Sequence, residues 1–303
     1  MDAMDDLEAL AARLEATGDY RILRRLKPFD NRPVADGEPT RLGLIVDVET
    51  TGLDTATAEI IELAMLPFRY TEDRIVAALP SLSRFNQPAA PIPDEVSRLT
   101  GITDDMVAGH SVDVAEIAAF VAPADLVIAH NAAFDRRVLE RYCPEVAEKP
   151  WACSLEELRW KDAGFASARL GAIAAELGFF FDAHRAIDDC AALLEILARP
   201  MRGDPDGRGA LSLLREAARR PTARLLAACT PFESKDQLKA RGYRWEPGEA
   251  GRPKGWFRDL PVEEEGAERA WLDAAVYPGA PDIHRYELTA WTRFSEREWL
   301  TSS

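Results

Sequence analysis

Residues 42–49 read Leu-Gly-Leu-Ile-Val-Asp-Val-Glu. A short apolar run rich in β-branched residues predicts a buried strand, and this one ends in two carboxylates. Strand alternation puts Ile45, Asp47 and Glu49 on one face and Leu44, Val46 and Val48 on the other. Adjacent carboxylates on such a strand repel each other, and a divalent cation between them reverses the penalty. All-oxygen ligands suit Mg²⁺ or Mn²⁺. Taken alone, Asp-x-Glu is common, and a solvated strand end is its plainer reading.

Outward from this strand, Glu59 to Tyr70 and Ile75 to Asn86 predict a second and a third strand, and Leu126 to Ala129 a short one. Helices are expected at Val96 to Leu99, Val112 to Val121, from about Ala133, at Ala166 to Leu177 and at Ala186 to Ala198, the last stopped by Pro200. Strands first, then strands mixed with helices, predict an α/β sheet flanked by helices. Ahead of it, residues 5–28 read as two short helices and 29–40 as a Pro/Gly/Asp-rich linker, so 1–40 is taken as a helical extension. A packing hairpin is the preferred role for that extension over a partner-binding handle. Behind the sheet, 201–224 reads as a linker containing a short helix near 209–219, and 225–303 as a small α+β domain.

Two further patterns carry chemistry. His130-Asn131-Ala132-Ala133-Phe134-Asp135 follows the short strand, and its plain reading is an aspartate favoured by a helix N-terminus. His184-Arg185-Ala186-Ile187-Asp188-Asp189 follows a loop-like run. Five residues turn roughly 500° in a helix, so His184 and Asp189 share a site only if His184 precedes the helix and Asp189 lies on its first turns.

Together, Asp-x-Glu on a strand, Asn-x-x-x-Asp and His-x-x-x-x-Asp, in this order over about 140 residues, resemble the DEDDh family of 3′–5′ exonucleases, the RNase H-like group that includes the DNA polymerase III epsilon subunit. The stretches 46–53, 59–64, 92–93, 99–103 and 170–177 support the resemblance, which spans about 42–197 and implies an exonuclease domain over 41–200. It implies a mixed sheet of RNase H-like fold and two Mg²⁺ or Mn²⁺ ions held by Asp47, Glu49, Asp135 and Asp189. Asp47 would bridge both ions, Glu49 and Asp189 would serve the ion carrying the attacking water, and Asp135 the ion on the leaving oxygen. His184 would be the general base, with an ordinary pKa of about 6.5 that suits the task. Asp188 is one position short of the family's aspartate, so Asp189 is chosen. By the same resemblance Thr50, Thr51, Leu53, Asn131 and Phe134 would hold the terminal nucleotide, with Leu53 or Phe134 wedged against its base. The implied activity releases nucleoside monophosphates from single-stranded nucleic acid, DNA favoured over RNA. Rival readings are an RNA or oligoribonucleotide exonuclease, and a non-catalytic binding or polymerase-adaptor protein on the same fold. Replication or repair proteins are candidate partners.

Composition bounds these expectations. The 303 residues include 37 basic and 52 acidic ones, a net charge of −15, with 47% hydrophobic residues, which excludes wholesale disorder. An acidic chain argues against nucleic-acid binding by bulk charge. The charge is uneven, however: residues 201–303 are net neutral, and 211–258 carries about +6. The opening Met-Asp-Ala-Met-Asp-Asp has the wrong charge for a signal peptide, and no run is apolar enough for a membrane span, so a cytoplasmic protein is expected. The four cysteines lack zinc-like spacing and read as buried or idle thiols. In the basic segment, Lys235, Lys239, Arg241, Arg244 and Lys254 interleave with Trp245 and Trp256, a composition that suits single-stranded nucleic acid. The rival is that the tryptophans form a mini-domain core. The segment is similar to a small module found beside primase and plasmid-transfer domains. Residues 279–303, with Trp291 and Trp299, are expected to pack onto one of the domains.

Overall fold

The computed structural model describes residues 3–249, 251–277 and 282–299. In chain order its elements are α1 (Ala3–Ala16), β1 (Arg24–Arg25), β2 (Arg41–Thr50), β3 (Ile60–Tyr70), β4 (Ile75–Ala78), β5 (Leu82–Phe85), α2 (Asp94–Thr100), α3 (Asp104–Val107), α4 (Val114–Val121), β6 (Leu126–Ala129), α5 (Ala132–Tyr142), β7 (Trp151–Cys153), α6 (Ser154–Glu157), α7 (Leu170–Glu176), β8 (Phe179–Phe180), α8 (Ala186–Leu197), α9 (Ala210–Arg219), β9 (Thr222–Ala227), α10 (Lys235–Ala240), β10 (Arg244–Glu246), β11 (Gly255–Pro261), α11 (Glu265–Ala275) and β12 (Ile283–Leu288).

The large sheet runs β4-β3-β2-β6-β7, with β5 also paired to β3. β2 is antiparallel to β3 and parallel to β6. This mixed α/β sheet flanked by helices is the fold expected from the order of strands and helices and from the family resemblance. Both faces of β2 are buried, which is why its apolar residues run without a polar alternate until Asp47. Ile45 packs in one core with Ile173, Leu193, Leu194 and Leu197. Leu44, Val46 and Val48 pack in the other with Ile117, Val138, Leu139 and Trp151. Gly43 lies opposite Phe68, and a Cβ there would come within 2.2 Å of that ring. The ring fills the space a side chain would need.

Several expectations change. Residues 22–26 are extended, not helical: Arg24 and Leu26 donate backbone N–H groups to Gly178 and Phe180, pairing β1 with β8. Ladder bonds win over weak helical spacing once Gly18 has ended α1. The packing hairpin fails with it, since Leu7 and Leu10 of α1 are exposed. The third strand is two, β4 and β5, interrupted around Pro80, which has no N–H to donate. Residues 201–224 are folded: Ala210, Leu211, Leu214 and Ala218 of α9 are buried in the same core as Ile45, and β9 already starts at Thr222.

The small sheet is antiparallel, in the order β10-β11-β9-β12. One face packs Leu225, Leu260 and Ile283 against Leu238 and Leu272 of α10 and α11. The other carries Leu226, Phe257, Tyr286 and Trp299. Strands β9 and β12 were not expected. The segment after β12 ties the two sheets together. The fully buried Arg136 guanidinium donates to the carbonyls of Ala290, Trp291 and Arg293 at 3.2, 2.6 and 2.7 Å. Trp151 donates its backbone N–H to Ala290 at 2.8 Å. Trp299 is buried and Trp291 exposed, while residues 279–281 and 300–303 lie outside the described residues. No described helix is long and apolar enough to cross a membrane. Cys143, Cys153 and Cys190 are buried free thiols and Cys229 is exposed.

Candidate active site

Asp47 and Glu49 follow the buried part of β2 on the face covered by α8, the helix that carries Asp189. The structure brings these three together: Asp47, Glu49 and Asp189 can each offer an oxygen, all within 4.8 Å of one another. Asp188, the neighbouring choice, is not in this group. Asp135 enters from the start of α5 and is 4% exposed. It stands outside the trio, and its Oδ1 accepts the Val48 backbone N–H at 3.1 Å. That bond ties α5 to the strand residue between the two β2 carboxylates.

The electrostatics are those of a site short of positive charge. Burial raises the pKa of Asp47 well above the ordinary range, and the charges of Asp135, Asp189, Glu49 and Glu62 raise it further. Burial, then Asp189, Glu62 and Asp135, push Glu49 up to about 8, with Arg185 opposing. Burial raises Asp135 and Asp189 to about 7 each, against backbone N–H donors that favour their charged forms. Oxygen ligands crowded at this density fit a hard divalent cation, whose charge would restore their ionised forms.

His184 sits in the loop before α8, as the five-residue spacing requires. Its φ is +67°, in the left-handed region that non-glycine residues enter at a cost. The conformation directs its backbone N–H to Asp189 Oδ2 at 2.8 Å, and the residue is exposed. His130, by contrast, is a structural histidine. Its ring bonds Ser154 and the Ala168 carbonyl, and burial lowers its pKa to about 4.

The nucleotide-contact candidates separate. Thr50 Oγ1 donates to the Gly52 carbonyl at 2.7 Å, and Thr51 Oγ1 accepts the Glu59 N–H at 3.0 Å. Both hydroxyls therefore hold the turn after β2, where a register shift between Glu49 and Thr50 marks a bulge that redirects the chain. Leu53 at that turn is 90% exposed, an apolar side chain without packing. Asn131 is exposed just before α5, and Phe134 packs partly into the core that includes Val48.

An ion pair with a buried carboxylate had no role in the sequence reading. Glu62 on β3 lies directly opposite Glu49 and is 1% exposed. It accepts Arg185 Nε at 3.2 Å, Arg185 Nη2 at 3.0 Å and the Ala186 backbone N–H at 3.1 Å. One carboxylate thus clamps the first turn of α8, between His184 and Asp189, to the large sheet. The signal was a lone Glu within the apolar run 60–66, which demands a cationic partner once buried.

The accessory candidates lie on the small sheet. Arg241 is paired with the buried Glu268 and Arg244 with Asp259. Trp245 and Trp256 are cross-strand neighbours, with Lys254 over the first ring and Lys239 over the second. Lys235 lies over Phe232. A cleft of about 760 Å³ between the two sheets is lined by residues such as Arg137, Arg224, Arg293 and Glu298 and does not include the acidic trio. Those arginines already have carboxylate partners.

Comparison with known proteins gives the family. Residues 44–197 match the exonuclease (RNase T) family model. The PolC-type DNA polymerase III of Clostridium perfringens is 30% identical over 161 residues, 51% of this chain and 11% of that protein. That of Halalkalibacterium halodurans is 33% identical over 167 residues, 52% of this chain and 11% of its own length. The DNA polymerase III epsilon subunit of Aquifex aeolicus is 28% identical over 164 residues, 52% of this chain and 78% of that one. The chain therefore spans about a tenth of the length of the PolC-type relatives. Among solved structures, exonuclease X in complex with 5′ overhanging duplex DNA is 24% identical with a TM-score of 0.42, covering 58% of this chain and 99% of its own. Exonuclease I of E. coli with a dA16 oligonucleotide is 14% identical with a TM-score of 0.48, covering 74% and 64%. With its family model matched over half its length, the chain belongs to the exonuclease family and is a nuclease of RNase H-like fold.

Proposed function

We propose that this nuclease removes nucleotides from the 3′ end of single-stranded DNA in a reaction that depends on divalent metal ions, releasing nucleoside monophosphates. The observation that carries the reading is the convergence of Asp47, Glu49 and Asp189 on one point, with Asp135 tied to the strand between the first two. These four carboxylates would hold two Mg²⁺ or Mn²⁺ ions. When bound, such ions ease formation of the water nucleophile and offset charge on the attacking and leaving oxygens of an in-line displacement. His184, held at the rim of the site by its backbone bond to Asp189, takes the proton from the attacking water. Thr50 and Thr51 brace the turn that presents the exposed Leu53 to the terminal base, and Phe134 and Asn131 would line the same pocket. Relatives that are DNA polymerase III proteins support DNA over RNA as the substrate, and replication proteins as partners.

The test is degradation of matched single-stranded DNA and RNA oligomers, labelled at the 3′ or the 5′ end, with Mg²⁺ or a chelator. The reading predicts that 5′-labelled DNA shortens one nucleotide at a time and only with metal. Immediate release of the 5′ label as mononucleotide overturns the direction. Faster loss of the RNA strand overturns the substrate.

A further inference from the structure

The small domain carries exposed rings, Phe232 and Trp245, and three lysines, Lys235, Lys239 and Lys254, outside its helix-covered core. Its helix-covered core is built from Leu225, Leu238, Tyr243, Leu260 and Leu272, and Trp256 packs partly against it. Trp245 lies outside that core, 46% exposed, with its ring centroid 5.4 Å from that of Trp256. Phe232 is 75% exposed. Each ring has a lysine over it: Lys235 Nζ lies 4.1 Å from the Phe232 centroid, Lys239 5.9 Å from Trp256 and Lys254 5.9 Å from Trp245. Lys235 and Lys239, four residues apart on α10, share one face of that helix.

The ion pairs of this region sort its cations. Arg241 and Arg258 are held by Glu268, Arg244 by Asp259 and Arg252 by Glu246 and Glu296. No ion pair among the described residues takes Lys235, Lys239 or Lys254. In a chain of net charge −15, three uncompensated lysines beside exposed rings form a surface complementary to a polyanion with aromatic faces. An exposed ring can accept a base only if that base is unstacked, which favours a single strand over a duplex.

We propose that Phe232, Lys235, Lys239, Trp245, Lys254 and Trp256 form a binding surface for single-stranded nucleic acid, separate from the acidic trio. The lysines neutralise phosphates and Trp245 stacks on a base, held in place by Trp256. This deepens the nuclease reading and rests on it in one respect, that the strand held here is the substrate.

The experiment uses the full chain with a fluorescent single-stranded DNA 20-mer, by anisotropy in chelator, where no hydrolysis occurs and the carboxylates repel the strand. The combined Lys235→Ala, Lys239→Ala and Lys254→Ala variant should lower the slope of log affinity against log salt by about 2, at about 0.7 per phosphate contact. Trp245→Ala should weaken binding about tenfold or more, while Trp245→Phe retains most of it. Trp291→Ala, which removes an exposed ring elsewhere, should leave binding unchanged. Duplex of equal length should bind at least tenfold more weakly. No binding by the unaltered chain, an unchanged slope and affinity in the first two variants, or equal affinity for duplex overturns the proposal. Hydrolysis of p-nitrophenyl thymidine 5′-monophosphate with Mg²⁺ occupies only the nucleotide site and should be unaffected by these variants. If the unaltered chain binds the 20-mer as described but hydrolyses neither that ester nor the oligomer, the nuclease reading falls and the surface stands.

Discussion

At the end of β2, Asp47, Glu49 and Asp189 crowd together with the charge of Asp135 acting on them, and the cation that acts on Glu49, Arg185, is already committed to Glu62. In the small sheet the buried Glu268 instead receives Arg241, Arg258 and the Tyr243 hydroxyl, each at about 3 Å. Burial alone would raise Glu268; the donors and the arginine charges outweigh it and hold its pKa below the ordinary value. Between the sheets Glu298 is met by Arg137 and Arg224, and Glu157 by Arg293. The difference teaches that burial of acid is not by itself a sign of function here. What sets the end of β2 apart is acid buried without its counter-charge.

The largest effects should divide the two regions. Asp47→Asn should cost on the order of 10³-fold or more in kcat, several kcal/mol of transition-state stabilisation, while the protein stays folded. Glu268→Gln should do the reverse: kcat on a nucleotide ester unchanged, and stability lowered by about 1–3 kcal/mol in denaturant unfolding, because two partly exposed arginines and the Tyr243 hydroxyl lose a charged partner. A variant at position 47 that unfolds, or one at 268 that abolishes turnover, breaks the distinction.

Glu62 stands between the two classes, buried and paired yet next to the site. Glu62→Gln keeps its shape but gives up the charge that clamps α8, so kcat should fall about 10–100-fold with weaker apparent Mg²⁺ affinity. A drop in stability with unchanged kcat would assign it to the scaffold instead.

The raised carboxylates also set a pH dependence. In chelator the folded chain binds more protons at Glu49, Asp135 and Asp189 than the unfolded chain between about pH 4 and 8. Their contribution to stability is therefore present at low pH and lost as pH rises through about 7 and 8. The rise in Tm on adding Mg²⁺ should accordingly be greater at pH 8 than at pH 5. A rise that is equal at both places the ion elsewhere. The smallest effect belongs to Arg244→Ala. Its pair with Asp259 at 3.2 Å has an arginine side chain 58% exposed, and stability should change by no more than about 0.5 kcal/mol.

What could be read from the chain follows the same division. Asp47 and Glu49 were legible because strand periodicity is local and their neighbours are apolar. The family resemblance singled out His184 and Asp189, and helical rotation added that the histidine must precede the helix if the two share a site. The Glu62–Arg185 pair joins residues 123 apart in sequence, and local pattern gave Glu62 a need for a partner without naming it. β9 and β12 were missed because Thr222 follows an Arg/Pro stretch and Ile283 follows Pro-Gly-Ala-Pro, so breakers masked short strands that only pairing stabilises. Residues 22–26 were misread because three apolar side chains fit helical spacing as well as an edge strand. In the basic segment, composition could not tell paired arginines from unpaired lysines. The ladder Trp245↔Trp256 and the position of Glu268 make that distinction.

The central claim, that the uncompensated carboxylates at the end of β2 are a cation site, is tested most directly by Mn²⁺ titration followed by electron paramagnetic resonance at pH 7.5. The account predicts that the free-ion signal is suppressed until two ions per chain are bound, and that Asp47→Asn abolishes or severely weakens this uptake while Glu268→Gln leaves it intact. No uptake at millimolar Mn²⁺, or equal uptake by Asp47→Asn, would contradict it.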